Sequence, residues 1–171
     1  MEAGRIQWGG ESNRDRLYPR IVRCTPSATL RGVVLCDRAE LVQVHWVNAR
    51  SSPHLSPSSA CSGCQARTRW RLVAYLAVWI YGLRNWVIVE VPEEATYEER
   101  DTLSGARGSI RGLIVNLRRT RPSHNGRVSL TWEPALNRTE ELPEAPDLRA
   151  ALCQVWSANH GEKEGKDGQQ A

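Results

Sequence analysis

Arg69-Trp70-Arg71-Leu72-Val73-Ala74-Tyr75-Leu76-Ala77-Val78-Trp79-Ile80-Tyr81 is the stretch that decides the fold class. It is rich in β-branched and aromatic residues and reads with a period of two. One face holds Trp70, Leu72, Leu76, Val78 and Ile80, the composition of a core face. The other interleaves Arg69 and Arg71 with Val73, Tyr75, Ala77, Trp79 and Tyr81. A turn across residues 82–85 leads into a second strand, Trp86 to Val91. Upstream, Leu41 to Val47 is a third strand, with an earlier pair near Ile21–Cys24 and Leu30–Leu35. Downstream, Arg111 to Arg119 places Leu113, Val115 and Leu117 on one face, and Val128, Leu130 and Trp132 alternate again. The loop joining those two carries Pro122 and the turn pair Asn125-Gly126.

Two short helices break the pattern. Pro92-Glu93-Glu94 has a proline and two acids where a helix N-terminus tolerates the one and favours the other, and this helix should stop near Gly105. The second starts at Pro146-Asp147 and sets Leu148, Ala151, Leu152, Val155 and Trp156 on one stripe. The expected fold is therefore mainly β: a small antiparallel barrel of the oligonucleotide-binding type, or a sandwich, with one or two short helices.

The rest of the chain bounds this reading. Residues 1–19 are polar, Gly-rich and without period, and read as a flexible N-terminal arm. Residues 159–171 hold no large apolar residue and read as a disordered tail, leaving 20–158 as a single β-rich domain. Five cysteines with no secretory signal argue against a disulfide framework and place the chain in the cytoplasm. The longest apolar run, Leu72 to Gly82, is too short for a membrane helix. Net charge is +4, and 21 of the 23 basic residues are Arg, which suits an anionic partner without requiring one.

The most specific local feature is Pro53-His54 followed by Cys61-Ser62-Gly63-Cys64, a candidate metal loop over residues 53–64. Two thiolates separated by two residues can reach one ion, and Gly63 eases the turn between them. The Ser- and Pro-rich stretch Ser51 to Ala60 has almost nothing apolar to organise it, which a structural zinc ion would supply. His54, Cys61 and Cys64 are the expected ligands. The fourth position is open to Cys36, His45, Cys24, His124 or water. Redox or unliganded thiols and a catalytic metal are the alternatives, but His54 to Arg67 contains no carboxylate for acid–base work beside a metal.

Two features bear on single-stranded nucleic acid. Arg69, Arg71, Tyr75 and Trp79 share one strand face, mixing cations for phosphates with rings for base stacking; the alternative is a strand in a two-sided fold, with Tyr75 and Trp79 buried under a helix. Residues 105–127 carry Arg107, Arg111, Arg118, Arg119, Arg121 and Arg127 with no acid, and most cluster about a hairpin loop, a shape that can straddle a phosphate backbone. The same residues can equally form a solvated face, neutralised by the acidic stretch 133–147.

His45-Trp46, Pro53-His54, Cys61 to Cys64, Arg69-Trp70, Tyr75 and the Arg111-Gly112-Leu113 stretch together resemble a pattern in short uncharacterised bacterial proteins, across about residues 30–155. That resemblance implies that the His/Cys loop is a unit, and it brings no activity. The chain is more loosely similar to zinc-containing single-stranded DNA-binding barrels, a likeness at the level of fold. No P-loop, GxGxxG, GxSxG or HExxH motif is present. The expected function is a non-catalytic, nucleic-acid-binding module with a structural zinc loop. The alternative is a protein-interaction or scaffold domain using the sheet face or the C-terminal helix.

Overall fold

The computed structural model describes residues 19–83, 85–120, 126–134 and 142–161. The expected arm, most of the expected tail, and the tip of the basic hairpin with Arg121 and His124 lie outside the described residues. Eight strands form one sheet: β1 (Ile21–Arg23), β2 (Thr29–Val34), β3 (Glu40–Val47), β4 (Arg50–Pro53), β5 (Trp70–Ile80), β6 (Asn85–Val91), β7 (Ile114–Arg119) and β8 (Val128–Glu133). The helices are α1 (Ser62–Gln65), α2 (Glu93–Glu98), α3 (Arg100–Leu103) and α4 (Leu148–Gly161). The protein is mainly β, as the alternating runs require.

The sheet is branched. Its spine runs β1-β6-β5-β2-β7-β8, and β3 with β4 branches from β5. β5 is long enough to take two partners on one edge. β2 meets it only at Val33↔Trp79 and Val34↔Val78, and then leaves to pair with β7. β3 takes over that edge from Glu40↔Tyr75 to His45↔Trp70. Gly32 sits where β2 parts from β5. A Cβ there would come within 2.5 Å of Val78 Cγ1 and 2.6 Å of the Trp79 carbonyl oxygen, so only glycine allows this approach. Among the described residues β1 and β8 do not pair with each other. Barrel closure is thus not seen, and neither are the two separate sheets of a sandwich.

Both faces of β5 are covered, and Val73 to Val78 are all buried. On α4, Leu148, Ala151 and Leu152 are buried, while Val155 and Trp156 are partly buried against the core. The Trp156 ring meets Tyr75 edge-on at 5.7 Å. Asp147 caps α4 by accepting the Ala150 N–H at 2.9 Å. On α2, the Thr96 hydroxyl donates to the Val91 carbonyl and accepts from the Ala74 N–H, pinning the helix to β5 and β6. The helix expected from Pro92 to Gly105 is two short ones with Glu99 between them, and Pro92 precedes the first helical residue.

A buried polar network crosses β1, β4, β5 and β6. Arg23 binds Glu90 through two nitrogens, at 2.8 and 3.0 Å. Ser51 donates to Glu90 at 2.6 Å, and the Tyr75 hydroxyl donates to Glu90 at 3.0 Å. Burial, followed by the Glu90 charge, drives the Tyr75 hydroxyl pKa far up, so it stays a donor.

This placement corrects the aromatic part of the nucleic-acid face. Tyr75 is completely buried, and a ring with no exposed surface stacks on no base. Trp79 is half-buried, cross-strand from Trp86 and packed against the core. For Tyr75 the alternative reading holds: it is buried, with Trp156 of α4 against its ring.

Candidate metal centre

β3 delivers His45 to the end of the sheet, where it is 1% exposed. The hairpin to β4 turns through Asn48 and Ala49, whose φ angles of 51° and 60° are those a two-residue primed turn demands. The sequence reading placed Arg50–Pro53 in or beside the unsupported loop. It is instead a strand, in register from Val47↔Arg50 to Val44↔Pro53. Beyond it, the His54 N–H still donates to the Gln43 carbonyl at 2.8 Å. The chain then loops out and returns through α1, with Cys61 just before its first residue and Cys64 within it. The Thr68 N–H and hydroxyl both bind the Gly63 carbonyl, which hands the chain back to β5 at Trp70.

These turns bring together His45, His54, Cys61 and Cys64, whose ligand atoms all lie within 4.8 Å of one another. That is close enough to bind a metal ion. His45 Nε2 lies 2.9 Å from His54 Nδ1. Cys64 Sγ is 3.6 Å from each of those nitrogens, and Cys61 Sγ is 3.8 Å from His54 Nδ1. Of the fourth-ligand options among the described residues, His45 is the one that reaches the site; His124 lies outside them. Cys24 and Cys36 are buried elsewhere in the core, and burial raises both thiols, Cys36 to about 11. They are packed as small apolar residues.

Two further residues shape the site: Thr68, which the sequence did not single out, and Gly63, singled out only for the turn between the cysteines. The Thr68 carbonyl lies 2.8 Å from His45 Nδ1 and can only accept, so Nδ1 carries the proton and Nε2 presents its lone pair to the cluster. Gly63 lies against the other side of the His45 ring, and a Cβ there would overlap the imidazole. Gly63→Ala is therefore expected to displace His45 and weaken metal binding by about 10- to 100-fold, the range for disturbing a supporting group. A competition titration with a chromophoric chelator reads this directly; unchanged affinity would separate Gly63 from the site.

The electrostatics favour a cation. Burial alone would raise the Cys61 thiol. Hydrogen bonds from the Leu55 and Cys64 backbone, and from the His54 and Cys64 side chains, outweigh it and bring Cys61 down to about 6. Cys64 is raised, by burial and by its neighbour Cys61. Two imidazole nitrogens at 2.9 Å also need a proton or a cation between them.

The other expected contact residues are dispersed. Arg69 is exposed and binds Glu93 at 3.2 Å. Arg71 lies with its guanidinium 5.9 Å from the Trp46 ring. Arg119 donates to the Cys24 and Gly126 carbonyls, each at 2.7 Å, which makes it a tie between segments of the fold. Arg127 pairs with Glu98 on α2, and Arg118 is exposed. Of the acidic stretch 133–147 expected to neutralise the hairpin, Glu133 pairs with Arg31 on β2, while Glu140 and Glu141 lie outside the described residues. Among the described residues, no helix is long and apolar enough to cross a membrane.

No protein-family model matches the chain, and neither the curated proteins nor the solved structures contain a match to it.

Proposed function

We propose that the chain is a non-catalytic binding module organised by a structural zinc ion held by His45, His54, Cys61 and Cys64. One observation carries this reading: the four donors converge within 4.8 Å of one another, and their three recorded nitrogen–sulfur distances are close to the edges of a zinc tetrahedron. Zinc–nitrogen bonds of about 2.0–2.1 Å and zinc–sulfur bonds of about 2.3 Å imply nitrogen–sulfur edges of about 3.6 Å. The distances between Cys64 Sγ and the two histidine nitrogens are 3.6 Å, and the Cys61–His54 edge is 3.8 Å. The nitrogen–nitrogen edge, 2.9 Å, is shorter than the ideal of about 3.3 Å and opens slightly on binding. Two thiolates with two imidazoles are the donor set zinc prefers, and four protein ligands leave no open position for a substrate or an activated water. That closure supports a structural role over a catalytic one.

The test is elemental analysis of protein purified without chelator, with about one zinc per chain expected. Cobalt(II) in its place should give the intense visible bands of a tetrahedral thiolate site. Metal-free protein with melting unaffected by added zinc would end the reading. Single-stranded nucleic acid is the ligand proposed for this module. A protein-interaction role draws on a different feature, a groove of about 540 Å³ between Glu40–Gln43 of β3 and Arg149, Leu152 and Trp156 of α4.

A further inference from the structure

At the metal-loop end of the sheet, Trp46 is 39% exposed although it stands on a central strand. Its ring is not loose. The Arg23 guanidinium lies 4.5 Å from the ring centroid, and Arg71 approaches at 5.9 Å. Arg23 is itself fixed, by both oxygens of Glu90 and by the Ser51 hydroxyl at 2.5 Å. An aromatic plate is thus held against a fixed guanidinium before any ligand arrives, with a second one nearby, which lowers the ordering cost of binding. A second exposed ring, Trp70, lies at the same end on the neighbouring strand, 6.4 Å from the His54 ring, but its pairing with His45 puts it on the other face of the sheet.

The chain segment that builds this end carries charge of one sign. No acidic residue occurs between Glu40 and Glu90, whereas that stretch holds Arg50, Arg67, Arg69, Arg71 and Arg84. Two acids pair with arginines of this end: Glu90 is buried beneath Arg23, and Glu93 forms an exposed pair with Arg69 that a phosphate can replace.

We propose that this end of the sheet is a stacking platform for single-stranded nucleic acid, centred on Trp46, with Arg71 and the exposed Arg67 and Arg69 for the phosphates. The proposal deepens the zinc-organised reading and rests on it, because the loop from His54 to Thr68 sets where Arg67 and Arg69 emerge. A flat ring among guanidinium groups matches a base flanked by phosphates. An acidic peptide would satisfy the arginines and leave the ring unused. A duplex keeps its bases stacked on each other and offers no face to Trp46.

The experiment uses the full chain loaded with zinc and a fluorescein-labelled mixed-sequence DNA strand, followed by anisotropy at several salt concentrations. Trp46→Ala should weaken binding about fivefold or more, and Trp46→Tyr should restore most of it. Arg71→Ala should lower the slope of log affinity against log salt by about 0.7, the value for one phosphate contact on a single strand. Tyr97→Ala, an exposed ring on α2, should bind like the parent. Three results would overturn the platform: a zinc-loaded chain that ignores the strand at low salt, a Trp46→Ala variant that binds undiminished, or displacement of the strand by polyglutamate of equal charge. The last result would identify a general polyanion or acidic protein surface. Zinc content measured on every sample reports separately on the metal, so the platform and the metal reading fail on different observations.

Discussion

Cys61→Ser should strip the chain of stoichiometric zinc and lower its melting temperature by about 10–20 °C, the equivalent of about 5 kcal/mol for a domain of this size. A serine hydroxyl is a poor replacement for a thiolate, and three ligands hold zinc far more weakly than four. Without the ion, His45 keeps its bonds to Thr68 and His54, but the loop loses the cation that gathers its two thiolates. Little else holds the loop: Leu55, its large apolar residue, is 45% exposed. The spine of the sheet, with Val73 to Val78 buried independently of the loop, should still give a β-type circular dichroism spectrum in the cold. Calorimetry and elemental analysis on the same sample check both halves. A variant with full zinc and parental melting would remove Cys61 from the site.

Glu90→Ala should cost about 3 kcal/mol, the lower end of the range for removing one partner of a buried ion pair. The carboxylate accepts from Arg23, Ser51 and Tyr75, and its loss leaves three donors facing a cavity. The lower end applies because the Arg23 side chain is 32% exposed and can turn its charge to water. Tyr75→Phe removes one hydroxyl and leaves Arg23, Ser51 and Glu90 bonded to each other, so about 1 kcal/mol is expected. Chemical denaturation of the pair gives both numbers. Equal losses in the two variants would contradict Glu90 as the hub.

The sheet was readable from sequence because alternation is a local property. Leu41 to Val47, the long run from Arg69 and the hairpin strands around Val115 and Val128 all lie where the pattern puts them. What covers each face is not local. Arg71, Tyr75 and Trp79 alternate with apolar residues as an outward face would, yet α4 arrives from far along the chain and buries Tyr75. Glu90 presents the same difficulty: in Trp86 to Val91 it looks like a solvent position, and only the fold supplies Arg23. Arg50–Pro53 was hidden because serine and proline mark loops, whereas a two-residue turn and pairing with β3 make it a strand. Three of the four metal donors were evident from spacing. His45 needed the register of β3 against β5 to distinguish it from Cys24, Cys36 and His124.

The pairing of His45 with Trp70 has a consequence for how the protein tolerates change. The metal loop leaves the sheet and returns to it at adjacent rungs, so its ends are joined by the ladder before the ion binds. An excursion anchored in this way is topologically a cassette. Lengthening it between Leu55 and Ala60 adds only the entropy of a longer closed loop, about 0.6 kcal/mol per doubling, and shifts no strand. The same end of the sheet can therefore vary in reach and in sequence while the scaffold beneath it is inherited unchanged.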